Sequence, residues 1–218
     1  YHIKAGKEIF AAEGAFGQYL ICFRDFPVAI GITAGAREYL AADICLKYMK
    51  EAISEPCNEE QLEAAEKALR AKLNSLSLVQ PEGTFRTARK EAAKLFDRKI
   101  LFTENPRKVE SVVFTKEGYR IKIEAVINGE QKTLYASYKA WKRNNLYPDD
   151  FTKKYQSVAY AMDAEALYLS VGLINTSYKE EYSLWVNSED KVIATWRPNV
   201  TYLPEEPDMV WKFTGTFE

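Results

Sequence analysis

Histidine is almost absent from this sequence: of 218 residues only His2 is a histidine, and it follows the first residue of the chain. A Ser-His-Asp or Cys-His nucleophile needs an imidazole within hydrogen-bond reach, and zinc sites built on helical histidine pairs need two of them. The sequence therefore excludes these classes of hydrolase and metal site. It predicts no cofactor and no metal ligands, and it favours a protein that is not an enzyme.

Cysteine is also scarce. The three cysteines, Cys22, Cys45 and Cys57, form no CxxC pair, and an odd number cannot all be bridged within one chain. This usage favours a reducing compartment, so we expect a cytoplasmic protein. The chain begins at Tyr1 rather than Met, which leaves a removed signal peptide as an open alternative.

The sequence lacks both a long apolar run and a bias of charge. No run approaches the roughly 18 residues that a membrane helix needs, so no membrane partner is predicted. With 30 basic and 31 acidic residues the formal net charge is -1, which argues against a surface that attracts nucleic acid or anionic lipid as a whole. Any such site would be local.

The first hundred residues are predicted to be mostly helical after a short β-hairpin at 18–33. A predicted helix over 37–53 is apolar around most of its circumference, and we expect it to form the central core element. Asn58 followed by Gln61 is a capping-box pattern that begins a second, amphipathic helix. A third helix is expected after Pro81.

Beyond Pro106 the apolar residues change from helical spacing to alternation. This pattern predicts strands at 109–115, 119–127 and 131–138, with a two-residue hairpin at Asn128-Gly129. After a polar stretch, further strands are predicted at 167–174, 182–186, 192–196 and 209–217.

These elements predict the α+β class, with about three helices in the N-terminal half packed against an antiparallel sheet formed mainly by the C-terminal half. The predicted organisation is a mostly helical segment with an N-terminal β-hairpin over 1–104 and a β-rich segment over 105–218. We expect the two segments to form one integrated domain because no flexible linker separates them.

The wide apolar surface of helix 37–53 requires more cover than two short helices and one sheet face provide. We therefore expect a homo-oligomer or a complex with a protein partner. The predicted function is a non-enzymatic binding or assembly module that acts through protein–protein contacts. Two alternatives stay open.

The first alternative is a nucleic-acid-binding protein that uses a basic hairpin at 119–143. Basic residues alternate along these strands, and aromatic rings that could stack on bases lie near them. The same pattern fits a solvated face with ion pairs to neighbouring glutamates. The candidate residues are Arg120, Lys122, Lys132, Tyr138, Trp141, Lys142 and Arg143.

The second alternative is an enzyme that uses carboxylate, tyrosine or lysine chemistry without histidine. Its acidic groupings are Asp149-Asp150, Glu180-Glu181, Glu189-Asp190 and Glu205-Glu206 with Asp208. Each grouping lies in a predicted turn, where solvated side chains are the simpler interpretation. No catalytic residue is assigned from the sequence.

Overall fold

The computed structural model describes residues 2–5, 9–36, 41–55, 58–84, 90–147, 149–150, 154–200 and 209–218. Contacts within the chain divide it into two compact units, Tyr1–Val79 and Gln80–Glu218. Each unit has its own hydrophobic core. The organisation that the sequence predicts, with a change of character at residue 105, stays a prediction.

The first unit contains a four-stranded antiparallel sheet whose strands follow chain order. Alternate residues of its third strand, Tyr19, Ile21 and Phe23, are buried together, as expected for a sheet with one covered face. The predicted hairpin at 18–33 is confirmed, and two earlier strands that the sequence analysis missed extend it. The strands are β1 (His2–Ala5), β2 (Ile9–Gly14), β3 (Gln18–Phe23) and β4 (Ala29–Ile32).

Two α-helices follow, α1 (Ala41–Ser54) and α2 (Glu59–Ser75). The predicted capping box is confirmed: the Gln61 backbone N–H donates to Asn58 Oδ1 at 2.8 Å, and the Asn58 N–H donates to Gln61 Oε1 at 3.1 Å. Neither helix forms the central core element that was predicted. In α1 the side chain of Tyr48 is 62% exposed, and α2 has no buried residue. Residues 37–40 and Cys57 lie outside the described residues.

In the described part of the predicted third helix, the chain forms a six-residue 3-10 helix, Lys90–Leu95. Residues 85–89 lie outside the part of the chain that the structure describes. The two helical side chains expected to point inward there, Ala92 and Leu95, are fully buried. The 3-10 helix therefore contributes to the core of the second unit.

The second unit is a closed β-barrel. In the described residues, nine strands form its ring. The ring is closed because β14 pairs with β5 and β11 pairs with β10, which leaves no free sheet edge at these positions. The strands are β5 (Lys99–Phe102), β6 (Val109–Glu117), β7 (Arg120–Ile127), β8 (Glu130–Tyr138), β9 (Lys142–Asn145), β10 (Tyr155–Met162), β11 (Ala166–Leu173), β12 (Lys179–Val186), β13 (Val192–Pro198) and β14 (Trp211–Phe217). Strand β9 pairs with Tyr155–Val158 of β10, the part of β10 that does not pair with β8.

Strands β6, β7 and β8 confirm the predicted antiparallel meander. In β7 the alternate residues Ile121, Ile123 and Ala125 are buried, whereas the residues between them face outward. The Asn128-Gly129 turn has φ values of 51° and 77°, the left-handed conformations that a two-residue hairpin requires. The hairpin prediction is therefore confirmed.

The ring closes at a seam between β8 and β10, where only two residue pairs join parallel strands. The buried side chain of Asn144 fills the gap in backbone pairing. Its Oδ1 accepts the Tyr135 N–H at 2.7 Å, and its Nδ2 donates to the Tyr135 carbonyl at 3.0 Å and the Lys142 carbonyl at 2.9 Å. A side-chain amide can replace a strand neighbour here because it carries both a donor and an acceptor.

The predicted α+β class is wrong. It assumed that helices must cover the apolar face of the sheet, but a sheet that closes on itself buries this face in its own interior. Strand β10 was missed because its residues are buried at almost every position, so its sequence shows no alternation.

Candidate binding cavity

The interior of the barrel contains a cavity of about 400 Å³. Every strand of the ring contributes at least one side chain to its wall, from the inward-facing positions. Most of these side chains are apolar. They are Phe102, Val109, Val112, Phe114, Ile123, Ala125, Ile127, Leu134, Leu146, Val158, Leu169, Val171, Leu173, Leu184, Ala194 and Phe213.

The polar side chains of the wall concentrate at one end of the barrel, which we call the polar end. There Ile127 pairs with Val109 on one side and with Glu130 on the other, next to the Asn128-Gly129 turn. The polar wall residues are Arg107, Asn128, Glu130, Tyr147, Asp150, Gln156, Glu180 and Tyr182.

The opposite end, which we call the apolar end, is filled by side chains that have no solvent exposure. The 3-10 helix lies against it, since the Ala92 N–H donates to the Ala164 carbonyl at 3.3 Å in the turn between β10 and β11. The two ends therefore differ in chemistry. The fully buried side chains of the apolar end are Leu95, Ile100, Ile121, Met162, Leu167 and Val192.

Three polar side chains of the cavity wall form one cluster, which we call the interior cluster: Arg107, Glu180 and Tyr182. The Arg107 guanidinium lies 3.0 Å (Nη2) from Glu180 Oε1, and its Nε donates to the Tyr182 hydroxyl at 3.3 Å. The Tyr182 hydroxyl in turn donates to Glu180 Oε2 at 2.8 Å. Each member of the cluster therefore contacts the other two.

Local structure holds each member of the interior cluster in place. Arg107 lies in the loop between β5 and β6, which the buried Asn105 side chain braces. Asn105 Oδ1 accepts the Val109 N–H at 3.1 Å, and its Nδ2 donates to the Thr103 and Val109 carbonyls at 2.9 and 2.8 Å. Glu180 and Tyr182 are alternate residues of β12 and therefore share its inward face.

Burial and charge act in opposite directions on the interior cluster. Burial is the largest influence on the pKa of Arg107 and lowers it, but Tyr182 and Glu180 together outweigh burial, so the pKa is raised. Burial raises the pKa of the Tyr182 hydroxyl well above its ordinary value, and Glu180 raises it further. At neutral pH Arg107 is therefore a guanidinium and Tyr182 a neutral phenol.

A stacked pair of tryptophans lies beside the interior cluster. The rings of Trp196 and Trp211 are 4.4 Å apart, and the Arg107 guanidinium carbon lies 5.2 Å from the Trp196 ring centroid. The Nε1 atom of Trp196 is buried and has no hydrogen-bond partner among the residues that the structure describes. A buried donor in this state is uncommon in folded proteins.

The structure separates the residues of the predicted nucleic-acid surface. Arg120 and Lys122 face outward on β7, and Lys122 Nζ lies 2.9 Å from Glu124 Oε1. Lys132 faces inward on β8, opposite Ala125, with its Nζ 2.6 Å from Glu130 Oε2 and 4.4 Å from the Tyr147 ring centroid.

The other four predicted residues lie near the seam. Tyr138 ends β8 and packs on the core, with its ring 5.7 Å from that of Tyr160. Trp141 is half-buried and precedes β9. Lys142 and Arg143 lie on β9, and the Arg143 guanidinium carbon lies 3.9 Å from the Tyr155 ring centroid.

The nucleic-acid alternative is therefore wrong. Its seven candidate residues do not form one basic surface, because the register of β8 places Lys132 on the face opposite to Arg120 and Lys122. The glutamates that were the competing interpretation do bind two of these lysines.

The enzyme alternative is also wrong in its structural basis. Glu180-Glu181 was predicted in a turn, but both residues lie in β12 and face opposite sides of the barrel wall. Glu180 is bound by Arg107, whereas Glu181 is exposed and lies 2.8 Å (Oε1) from Lys179 Nζ. Glu205, Glu206 and Asp208 lie outside the described residues, and among the described residues no group of three metal-ligating side chains comes together.

Sequence reasoning missed the interior cluster. It began the strand at Tyr182, three residues too late, and so assigned Glu180 to a solvated turn. The signal was available, because Glu180, Tyr182, Leu184 and Val186 have the alternation of one inward face. Arg107 carries no such signal because it lies in a loop, where spacing does not indicate direction.

The fold and the site together define the class of this unit, which is a closed β-barrel that encloses a mostly apolar cavity. No protein-family model and no curated protein matches the sequence.

Among the solved structures that are similar to the chain are the following three. Apo lipid binding protein 8 of Caenorhabditis elegans has 7% identity and a TM-score of 0.45, with 60% of this chain and 100% of that chain covered. The fatty-acid-binding protein isolated from Manduca sexta has 10% identity and a TM-score of 0.41, with 56% and 98% covered. A structure named REP1-NXSQ fatty acid transporter has 12% identity and a TM-score of 0.42, with 58% and 97% covered.

The predicted assembly module, with its homo-oligomer or protein partner, is wrong as well. It depended on helix 37–53 as a core element that needs cover, which the structure does not contain. The barrel instead places its concave, chemically distinct surface inside, where a cavity of about 400 Å³ has room for a small molecule and not for a macromolecule. Within the described residues, neither helix has the length and apolar character to cross a bilayer.

Proposed function

We propose that the barrel binds a small apolar or amphipathic molecule of the lipid class in its interior. The observation that supports this proposal is the cavity: about 400 Å³ inside a closed ring of strands, lined mainly by apolar side chains. Small-molecule sites are typically concave, between about 300 and 1,000 Å³, and mostly apolar with a few convergent polar groups. This cavity has each of these properties.

The driving force for such binding is the transfer of apolar surface out of water. Burial of an alkyl chain contributes about 0.8 kcal/mol per methylene. Side chains such as Val112, Ile123, Leu169 and Phe213 offer the chain an apolar wall on several sides. Because the apolar end of the barrel is already filled by its own side chains, the free volume is open to a ligand rather than to further packing.

The interior cluster supports a fixed orientation of the ligand. Arg107, Glu180 and Tyr182 are the polar groups of the wall that contact one another most closely, and they lie towards the polar end. An amphipathic ligand places its polar group near them and its chain along the apolar wall, because a buried polar group without a partner is costly.

A cytoplasmic location belongs to the same proposal. Cys22 and Cys45 are free cysteines, as is usual for proteins of reducing compartments. Fractionation of cells that express the tagged full-length protein tests this part, and recovery with secreted or membrane material contradicts it.

The test of binding uses the full chain and N-phenylnaphthylamine, an uncharged dye that becomes fluorescent in apolar surroundings. We expect a saturable rise in fluorescence with one site per chain, and displacement of the dye by decanol. Ala125→Phe and Ala194→Phe each add a ring to the cavity wall and are expected to weaken dye binding by about tenfold or more, which corresponds to about 1.4 kcal/mol.

Val126→Phe is the matched control because Val126 is the next residue of β7 and faces outward. Far-ultraviolet circular dichroism identifies the variants that fold, and two cavity variants are used so that one failure to fold does not end the test. Absence of saturable binding contradicts the proposal, as does unchanged binding in both cavity variants.

A further inference from the structure

The Arg107 guanidinium already has its counter-charge within the protein. Its Nη2 lies 3.0 Å from Glu180 Oε1, and the second carboxylate oxygen, Oε2, accepts the Tyr182 hydroxyl at 2.8 Å. The Glu180 side chain is only 10% exposed, so this pairing takes place largely out of water. A guanidinium that binds a ligand carboxylate commonly donates two parallel hydrogen bonds to it, in a bidentate ion pair. Here a protein carboxylate occupies that role.

The charges around the cavity also disfavour an anion. Among the described residues, the wall contains one basic side chain, Arg107, and three acidic side chains, Glu130, Asp150 and Glu180. Lys132 is close to the wall but is bound to Glu130, with Nζ 2.6 Å from Oε2. A ligand carboxylate at the interior cluster would therefore lie close to Glu180 while Arg107 is already paired, and repulsion there is stronger than in water because the dielectric constant is lower. A cationic group is not favoured either, because at the interior cluster it would lie next to the Arg107 guanidinium.

An unused donor is the second independent observation. Trp196 shares the inward face of β13 with Ala194, a residue of the cavity wall, and its ring lies beside Arg107. The buried Nε1 of Trp196 has no acceptor among the described residues. A hydroxyl, ester or amide oxygen on a ligand offers an acceptor without bringing a net charge.

Resting on the proposed function, we infer that the interior site selects amphiphiles whose polar group is uncharged, such as an alcohol, ester or amide, over carboxylates and ammonium ions. Glu180 sets this preference because it neutralises Arg107. Specificity is a difference between the affinities for two ligands. Here it arises because Glu180 repels a ligand carboxylate but not an uncharged group.

The test measures displacement of N-phenylnaphthylamine from the full chain by three ligands with the same ten-carbon chain: decanol, decanoate and decylammonium. At neutral pH we expect decanol to displace the dye at a concentration lower by about tenfold or more than either ion. Decanoate or decylammonium that binds as tightly as decanol, or more tightly, overturns the inference while the proposed function stands. No dye binding at all overturns the proposed function, and the inference falls with it.

Glu180→Gln tests the residue itself. The amide keeps the shape and removes the negative charge, so Arg107 becomes available and the ratio of decanoate to decanol affinity is expected to rise by about tenfold. Glu181→Gln is the matched control, one residue along β12 on the outer face, and is expected to leave the ratio unchanged. An equal ratio in wild type and Glu180→Gln overturns the role of Glu180. If Glu180→Gln does not fold, the wild-type ratios alone decide the inference.

Discussion

The same strands form both ends of the barrel, but the inward-facing side chains at the two ends differ in polarity. At the apolar end, Met162, Leu167 and Val192 have no exposure and pack under the 3-10 helix. At the polar end, the same inward positions of the same wall carry charged side chains such as Glu180 beside Arg107. One end contributes packing energy, whereas the other retains buried polar groups that packing alone would not favour.

This difference indicates which substitutions should change the stability of the barrel alone and which should also change ligand binding. A side chain that only packs is expected to change the free energy of unfolding when it is shortened, with little effect on the cavity. A member of the interior cluster is expected to change both. All four tryptophans lie beyond residue 140, in the barrel unit, so their fluorescence follows unfolding of the barrel and not of the first unit.

The largest loss of stability is expected from Leu167→Ala at the apolar end. Leu167 has no exposure and does not line the cavity, so truncation leaves a void and lowers the free energy of unfolding by about 2–5 kcal/mol. Urea unfolding followed by tryptophan fluorescence measures this loss. Leu101→Ala, on a leucine that is 38% exposed, is the control and is expected to cost about 1 kcal/mol or less. Equal losses at the two leucines contradict the account of the apolar end.

Arg107→Met breaks the ion pair of the interior cluster and leaves a largely buried carboxylate without its partner. We expect a loss of about 3 kcal/mol, the lower part of the range for buried pairs, because Arg107 itself keeps 35% exposure. The double variant with Glu180→Leu is expected to regain most of this loss. Lys179→Met breaks the outer pair with Glu181 and is expected to cost less than about 1 kcal/mol. Urea unfolding that ranks the outer pair above the inner one contradicts this account.

Asn105→Ala removes the three hydrogen bonds that brace the loop carrying Arg107. The expected loss is about 1–3 kcal/mol, since buried backbone groups lose their partners. Dye binding is expected to weaken as well, because Arg107 is no longer held in place. Asn145→Ala, on an exposed residue of β9, controls for the substitution itself. Unchanged dye affinity in a folded Asn105→Ala variant removes the positioning role of this loop.

The smallest expected effect is a pH dependence at the apolar end. Burial is the largest influence on the pKa of Asp163 and raises it, but hydrogen bonds from the Tyr168 hydroxyl and the backbone N–H groups of Glu165 and Ala166 together outweigh burial, so the pKa is lowered. A lowered folded-state pKa means that the stabilisation is present above the unfolded-state value of about 3.9 and is lost as the pH falls through the folded value.

The variant Asp163→Asn is therefore expected to be less stable than wild type at neutral pH, and the difference is expected to shrink at pH values below about 4. Urea unfolding across this range measures the two curves. A constant difference at every pH would show that the carboxylate charge of Asp163 is not the source of the stabilisation.

Local structure could be predicted from the sequence where a short-range signal decides it. The alternation in β6 to β8, the Asn128-Gly129 turn and the capping box at Asn58 are cases of this kind. Closure of the sheet could not be predicted, because apolar and polar residues alternate in the same way in a sheet covered by helices and in a sheet that closes on itself. The wrong α+β class follows from that ambiguity, whereas the wrong assembly function follows from the cover that helix 37–53 was expected to need.

The contact of Arg107 with Glu180 was equally out of reach, since it joins a loop residue to a strand residue that lies far away in sequence. Arg107 and Glu180 meet only because closure of the ring brings the loop between β5 and β6 close to β12. Spacing along the chain carries no information about such a contact. Lys132 shows the converse case: its charge suggested an outer surface, but the register of β8 turns it inward.

The most direct test of the central claim is a crystal structure of the full chain with decanol brominated at its methyl end. The account predicts an anomalous bromine peak inside the barrel along the apolar wall, with the hydroxyl oxygen next to Arg107, Glu180 and Tyr182. A bromine peak outside the barrel, or a ligand whose hydroxyl lies away from these three residues, would contradict it.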